Sequence, residues 1–125
     1  MAKEGTTRYY SELQEEKVAK LLNGTRNANS GGGKFKKGDV TVKNANLLVE
    51  CKTSMSDKSS FSVKKEWLDK NKKESFENRF ENSCLCFNFG PESPNYFVIN
   101  EKLMKFLCNQ LEEFYDDMED VFNQI

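Results

Sequence analysis

The chain has 125 residues, of which 37% are hydrophobic and 31% are charged, and its net charge is −1. This length suffices for one hydrophobic core, so we expect a single domain over residues 1–125. The sequence has no run of about 18 apolar residues and no apolar segment near its start. We therefore expect a cytoplasmic protein without a membrane partner.

The residue types exclude several kinds of site. The chain contains no histidine, which removes Ser-His-Asp and Cys-His catalysis. Its four cysteines form no C-x-x-C pair, so a structural zinc site is not expected. Cys84 and Cys86 alternate with apolar residues, a pattern typical of small buried side chains on a strand.

Charge is divided unevenly along the chain. Residues 1–80 carry 17 Lys and Arg against 11 Asp and Glu, whereas residues 81–125 carry 2 against 9. A basic region backed by an acidic one suits a protein that meets a polyanion on one side, although the asymmetry also serves solubility.

The first predicted helix follows a flexible lead-in over residues 1–8. Ser11 and Gln14 match a capping box, which predicts a helix start near Ser11, and Asn23 followed by glycine predicts its end. Apolar residues spread over one broad face of this helix.

One glutamate of this helix is placed to reach a site on the sheet. Glu15 lies at the border of the apolar face, whereas Glu12 and Glu16 are expected to point further towards solvent. Glu15 is therefore the candidate functional acid, Glu16 is the fallback, and a plain surface acid is the alternative.

A glycine-rich basic loop comes next. Three successive glycines allow close approach to another chain, and lysines follow at once. The G-x-x-x-x-G-K-[ST] spacing of a P-loop is absent, and a flexible linker is the alternative. The candidate phosphate-contacting residues in this loop are Ser30, Gly31, Gly32, Lys34, Lys36 and Lys37.

The segment that follows has the pattern of a β-hairpin. Residues 39–42 alternate polar and apolar side chains, residues 47–51 are mainly apolar, and turn-forming residues lie between them. With the turn at residues 44–45, facing residues have numbers that sum to 89, which places Asp39 opposite Glu50. The same register gives the pairs Val42–Leu47, Thr41–Leu48 and Val40–Val49.

Two opposed acids need a counter-charge. Like charges at roughly 5 Å destabilise a sheet, and a divalent cation with oxygen ligands, such as Mg²⁺, would offset the repulsion. Lys52 follows Glu50 by two residues and so shares its face. Two carboxylates and a lysine suit metal-assisted hydrolysis of a phosphodiester, because the cation and the ammonium both stabilise developing charge. Alternating charges on a solvated strand are the alternative.

The remaining sequence predicts a helix, two strands and a last helix. Ser62 is the candidate cap of a helix through Phe80, in which Trp67, Leu68, Phe76 and Phe80 pack inward. Lysines on its other side, among them Lys64 and Lys65, are candidate contacts to a phosphate backbone. Strands are predicted over residues 84–89 and 96–99, and an acidic amphipathic helix over residues 101–123. That last helix is expected either to lie on the sheet or to pair with a second copy.

The order of these motifs resembles a known enzyme family. Glu15, then Ser30-Gly31, Gly38-Asp39-Val40 and Val49-Glu50-Cys51-Lys52 resemble the PD-(D/E)xK nucleases, and among them the small Holliday junction resolvases of phages and archaea. The resemblance covers about residues 11–100. It departs from the family pattern at Gly38, where a proline often stands.

The resemblance implies a fold and a set of roles. The fold is α/β, a mixed central sheet flanked by helices in the order α-β-β-β-α-β, here followed by the C-terminal helix. Asp39, Glu50 and the Cys51 carbonyl would bind Mg²⁺ or Mn²⁺, Glu15 would complete the metal site, and Lys52 would be the catalytic lysine. Ser30 would lie near the scissile phosphate. A phage protein would act in the host cytoplasm.

The expected function is metal-dependent, structure-selective cleavage of DNA. The expected partners are branched or duplex DNA and a second copy in a homodimer, and no small-molecule cofactor is expected. A nuclease of the same superfamily acting on plain duplex DNA is one alternative. A non-catalytic nucleic-acid-binding module is the other, and it would not depend on divalent ions.

Overall fold

The computed structural model of the chain describes residues 2–27 and 38–124, and their secondary structure is α/β. The elements are α1 (Thr7–Leu22), β1 (Thr25–Arg26), β2 (Val40–Val42), β3 (Leu47–Lys52), α2 (Lys65–Glu77), β4 (Asn82–Phe87), β5 (Tyr96–Val98) and α3 (Glu101–Asn123). The predicted α/β class, the α-β-β-β-α-β order and the added C-terminal helix are therefore confirmed.

The strands form one mixed sheet in the order β1-β2-β3-β4-β5. β3 and β4 run parallel, and the other neighbouring strands run antiparallel. A parallel pair needs a long crossover connection, and α2 provides it. α1 packs against β1, β2 and β3, while α2 packs against β3 and β4.

The central hairpin has the predicted register. Val40 pairs with Val49, Thr41 with Leu48 and Val42 with Leu47. A single 3₁₀ turn over Lys43–Ala45 connects the strands, and Asn46 closes it at a φ of 52°. Asparagine tolerates this left-handed conformation better than most residues, which explains the turn chemistry of the segment.

Small apolar side chains from α1 and the three central strands form the core. Val18, Val40, Val49 and Cys86 are fully buried in this cluster. Its other buried members are Ala19, Val42 and Cys84. Cys84 and Cys86 are buried and form no disulfide, which confirms their prediction as small buried side chains.

The start of α1 differs from the prediction. The helix begins at Thr7, and the Thr6 hydroxyl caps it by accepting a hydrogen bond from the Tyr9 amide. Ser11 therefore lies inside the helix and does not cap it. The predicted end is confirmed, because Asn23 takes the left-handed conformation with a φ of 54°.

α2 is shorter and more polar on its inner face than predicted. It spans Lys65–Glu77, and Ser62 does not cap it. Phe76, predicted to pack inward, is 83% exposed, whereas Asn71 and Ser75 are buried. Asn71 donates to the Leu48 carbonyl and Ser75 donates to carbonyls after the helix, so hydrogen bonds satisfy these inner side chains.

α3 spans Glu101–Asn123, as predicted, and Asn100 caps its first turn through the Leu103 amide. The two-residue strand β1 completes the three strands that the resemblance implies before α2, although its sequence is too short to carry a strand pattern of its own. Among the described helices, none combines the length and the hydropathy that crossing a membrane requires.

Candidate active site

Gly38 has a backbone conformation, just before the first strand of the hairpin, that favours glycine. Its φ is +68°, and a Cβ at this position would lie 2.9 Å from the Leu48 Cγ. Glycine is therefore needed for both its conformation and its size. Gly38 thus sets the backbone conformation directly before Asp39, which precedes β2.

Asp39 is fixed by backbone and side-chain hydrogen bonds. Its amide donates to the Val49 carbonyl at 3.0 Å, and its carbonyl accepts from the Asn27 amide at 2.9 Å. Its Oδ2 accepts from the Cys51 amide at 2.7 Å. The N–H and C=O of one strand residue point to the same edge, so the Cys51 carbonyl faces the side on which Asp39 lies.

Glu50 and Lys52 lie on β3, next to Asp39. The Lys52 Nζ is 3.8 Å from the Glu50 Oε1. The Lys52 side chain is 31% exposed and the Glu50 side chain is 14% exposed. The same Nζ lies 4.7 Å from the ring centroid of Trp67, a cation–π contact that holds the ammonium beside the acids. The predicted sharing of one face by Glu50 and Lys52 is confirmed.

The ionisation of both acids of the hairpin is shifted by their surroundings. Burial raises the pKa of Glu50 to about 7, and the negative charge of Asp39 adds to the rise. Burial also raises the pKa of Asp39, against the Cys51 hydrogen bond. The ammonium groups of Lys52 and Lys70 lower both pKa values, so the two carboxyl groups share one electrostatic environment.

Glu15 joins this environment from α1. Its side chain is 14% exposed. Burial and then the charge of Asp39 raise its pKa, while the Arg26 guanidinium lowers it. The choice of Glu15 over Glu16 agrees with the structure, because the Glu16 side chain is 55% exposed.

Arg26 is a component that sequence analysis missed. Its guanidinium lies 3.1 Å from a Glu15 carboxylate oxygen, 3.5 Å from Glu12 and 3.8 Å from Glu16. The expectation that Glu12 points further towards solvent is wrong, since its side chain is 17% exposed and held by Arg26. β1 brings Arg26 to this position, and the two residues of that strand carry no sequence pattern that predicts it.

Gln14 was also missed, although it connects α1 to the end of β3. It is 3% exposed, and its Nε2 donates to the Lys52 carbonyl at 2.8 Å and to the Asn95 Oδ1 at 3.2 Å. Its Oε1 is buried and has no hydrogen-bond partner among the residues that the structure describes. The interpretation of Gln14 as part of a capping box hid its inward direction.

The candidate DNA-contacting residues are only partly described. Ser30, Gly31, Gly32, Lys34, Lys36 and Lys37 lie outside the described residues. The Lys64 Nζ lies 5.5 Å from the Trp67 ring centroid, so Lys64 and Lys52 share one aromatic ring. Lys65 is exposed and forms an ion pair of 3.1 Å with Asp69.

The donor atoms at this site are those that a hard cation prefers. Over residues 2–27 and 38–124, no group of three or more acids, cysteines or histidines has the arrangement of a metal site. Arg26 holds Glu15 by an ion pair, which leaves Asp39 and Glu50 as the mutually repelling pair. Mg²⁺ commonly uses one or two carboxylates together with substrate oxygens and waters, so this pair fits its chemistry.

Comparisons with known proteins yielded no match among family models, curated proteins or solved structures.

Proposed function

We propose that this protein is a divalent-metal-dependent DNA endonuclease and that its substrate is branched DNA of the Holliday junction type. The reaction is hydrolysis of a phosphodiester bond. The proposed partners are DNA and a second copy of the chain, and the proposed metal is Mg²⁺ or Mn²⁺.

One observation carries the proposal: Glu50 is a largely buried acid beside Asp39, with its side chain 14% exposed and its pKa raised to about 7. Keeping a buried ionised acid next to a second acid lowers stability, and perturbed pairs of this kind concentrate at functional sites. A structural role would be served better by an apolar residue at the end of β3. The pair therefore favours a site built to receive positive charge.

The surrounding residues have complementary tasks in this proposal. Asp39 and Glu50 would hold the cation, with the Cys51 carbonyl on the same edge and Glu15 on the adjacent helix. A bound Mg²⁺ would supply electrostatic stabilisation of the phosphate and lower the pKa of an attacking water. Lys52 would donate hydrogen bonds to a phosphate oxygen and stabilise the charge that develops on it.

The ring of Trp67 contributes by position. It lies 4.7 Å from the Lys52 Nζ and 5.5 Å from the Lys64 Nζ, so it restricts both ammonium groups to one side of the sheet. A phosphate that reaches Lys52 would meet Lys64 next. The basic loop before Asp39 would add further contacts to phosphates, because in the sequence its last lysine, Lys37, is only two positions before Asp39.

Cleavage of a labelled four-way junction tests the proposal. The protein should cut the junction in Mg²⁺ and not in EDTA, and Glu50→Ala should lose at least roughly 10²-fold in rate. Glu92→Ala is the matched control, because Glu92 is an exposed acid in the connection between β4 and β5. Its rate should equal that of the unmodified protein.

Comparing the cleavage of the junction with the cleavage of its component duplex identifies the preferred substrate. Preferential cutting of the junction supports the resolvase proposal, whereas equal cutting of duplex and junction assigns a nuclease without structure selectivity. Binding without cutting, unaffected by EDTA and unchanged in Asp39→Asn, would assign a non-catalytic binding module. Equal cleavage by the unmodified protein and Glu50→Ala would reject the proposed site.

A further inference from the structure

α3 presents a long apolar surface to solvent. The helix has 23 residues, which corresponds to about 34 Å. Apart from Leu103, its large apolar side chains are 42–80% exposed, and every residue from Asn109 to Asn123 is exposed. Among the described elements, none packs extensively against α3. Such a continuous exposed stripe marks an interaction surface.

The spacing of this stripe is that of a two-helix seam. Its central residues alternate steps of three and four, which is the heptad spacing that keeps one face turned towards a partner helix. These residues are Met104, Leu107, Leu111, Phe114, Met118 and Val121. Tyr115 and Phe122 widen the stripe on one side, and they are 63% and 80% exposed.

The area of the stripe is sufficient for a stable dimer. Its eight large side chains each have roughly 100 Å² to lose, given that an aromatic side chain buries roughly 150–250 Å² in full. Two such stripes would together bury on the order of 1,500 Å², which is the size of a standard specific interface.

The charges on α3 indicate how two copies would align. Lys102 and Lys105 lie near its start, whereas the segment 112–120 carries six acids. These acids lie towards the C-terminal end of the helix, which is the negative end of its dipole. The last turn has no basic residue to offset them. A parallel partner would bring the two acidic halves together. An antiparallel partner would bring the lysines and its positive helix end beside them.

We propose that α3 is the dimerisation element of this protein and that it pairs antiparallel with α3 of a second copy. This inference does not rest on the proposed nuclease function. In this arrangement the numbers of facing seam residues sum to 225, so Met104 faces the partner's Val121 and Leu111 faces the partner's Phe114. The two sheet domains then lie at opposite ends of the helix pair.

Sedimentation equilibrium of the full chain tests whether α3 forms the interface. The unmodified protein should be a dimer at micromolar concentration, and Leu111→Glu should raise the dimer dissociation constant at least tenfold. Asn109→Glu adds the same charge on the opposite side of the helix and should leave the constant within about twofold. A monomeric unmodified protein, or equal effects of the two variants, would overturn the proposal.

Cysteine cross-linking tests the direction. In a Cys108→Ser background, proteins carrying Met104→Cys or Val121→Cys are mixed and oxidised. Antiparallel pairing predicts mixed disulfides between the two variants, because Met104 would lie about 26 Å from its counterpart in the partner, far beyond the roughly 7 Å limit for a disulfide. Efficient disulfides within each single variant, and few between them, would show a parallel pair and overturn the proposed alignment.

A loss of folding would be recognised separately. α3 makes few contacts with the rest of the described chain, so Leu111→Glu should retain the thermal transition of the sheet domain. If Leu111→Glu unfolds the sheet domain, the helix packs on its own domain and the dimer proposal is refuted.

Discussion

Replacing Glu50 by glutamine should stabilise the protein at high pH. Glutamine has nearly the same shape as glutamate but carries no charge, so the substitution removes the repulsion from Asp39 and the cost of burying an ionised group. The pKa of Glu50 rises from 4.5 in the unfolded chain to about 7 in the fold. The folded state therefore binds the proton more tightly than the unfolded state does.

The sign of the pH dependence follows directly. Well below pH 4.5 the carboxyl is protonated in both states and costs nothing. Between pH 4.5 and about 7 it is ionised in the unfolded chain but still protonated in the fold, so the stability of the unmodified protein falls as the pH rises. The loss amounts to roughly 1 kcal/mol at pH 5 and about 3 kcal/mol at pH 8. The advantage of Glu50→Gln should therefore grow by about 2 kcal/mol over this interval.

Urea unfolding at fixed protein concentration and at pH 5 and pH 8 measures this difference without any substrate or metal. Glu92→Gln is the matched control, since Glu92 is exposed, and its effect should be the same at both pH values. If the stability difference between Glu50→Gln and the unmodified protein does not change with pH, Glu50 does not have the buried, acid-paired environment on which the site depends.

Three further substitutions and one control test the backbone at Gly38, the contact made by Gln14 and the role of Lys52. Gly38→Ala should lower the free energy of unfolding by about 1–3 kcal/mol, because its φ is +68° and its Cβ would meet a buried leucine. Gly5→Ala, at a φ of +85° with open space, should cost less in the same urea titration, and equal costs would contradict the packing argument. Gln14→Leu should cost about 1–3 kcal/mol by leaving the Lys52 carbonyl unpaired, and unchanged thermal stability would refute this role. Lys52→Met should lower junction cleavage by roughly 10²-fold with the fold retained by circular dichroism, and full activity would exclude the lysine from the reaction.

The sequence predicts best where periodicity and turn chemistry agree. The register of the hairpin follows from alternating apolar residues and an Asn-containing turn, and it brings Asp39 next to β3. The bounds of α3 follow from a regular apolar spacing that no breaker interrupts. These features are local, so the information for them lies within a few neighbouring residues.

Features that depend on distant partners could not be predicted. Arg26 meets Glu15 because β1 pairs with β2, and a two-residue strand leaves no periodic signal. Gln14 is buried because its side-chain amide donates hydrogen bonds to the Lys52 carbonyl on β3 and to Asn95. Tertiary contacts therefore set the direction of its side chain. The inner face of α2 is polar for the same reason, since Asn71 is satisfied by a strand carbonyl.

Binding of Mn²⁺ shows whether Asp39 and Glu50 form a cation site. Electron paramagnetic resonance measures free Mn²⁺ as protein is added, and the unmodified chain should bind the ion at Asp39 and Glu50. Asp39→Asn and Glu50→Gln should each weaken binding at least roughly tenfold, because each removes a charged oxygen ligand. Equal binding by the unmodified protein and both variants, or no binding at millimolar Mn²⁺ by any of them, would contradict the proposal that the two acids form a cation site.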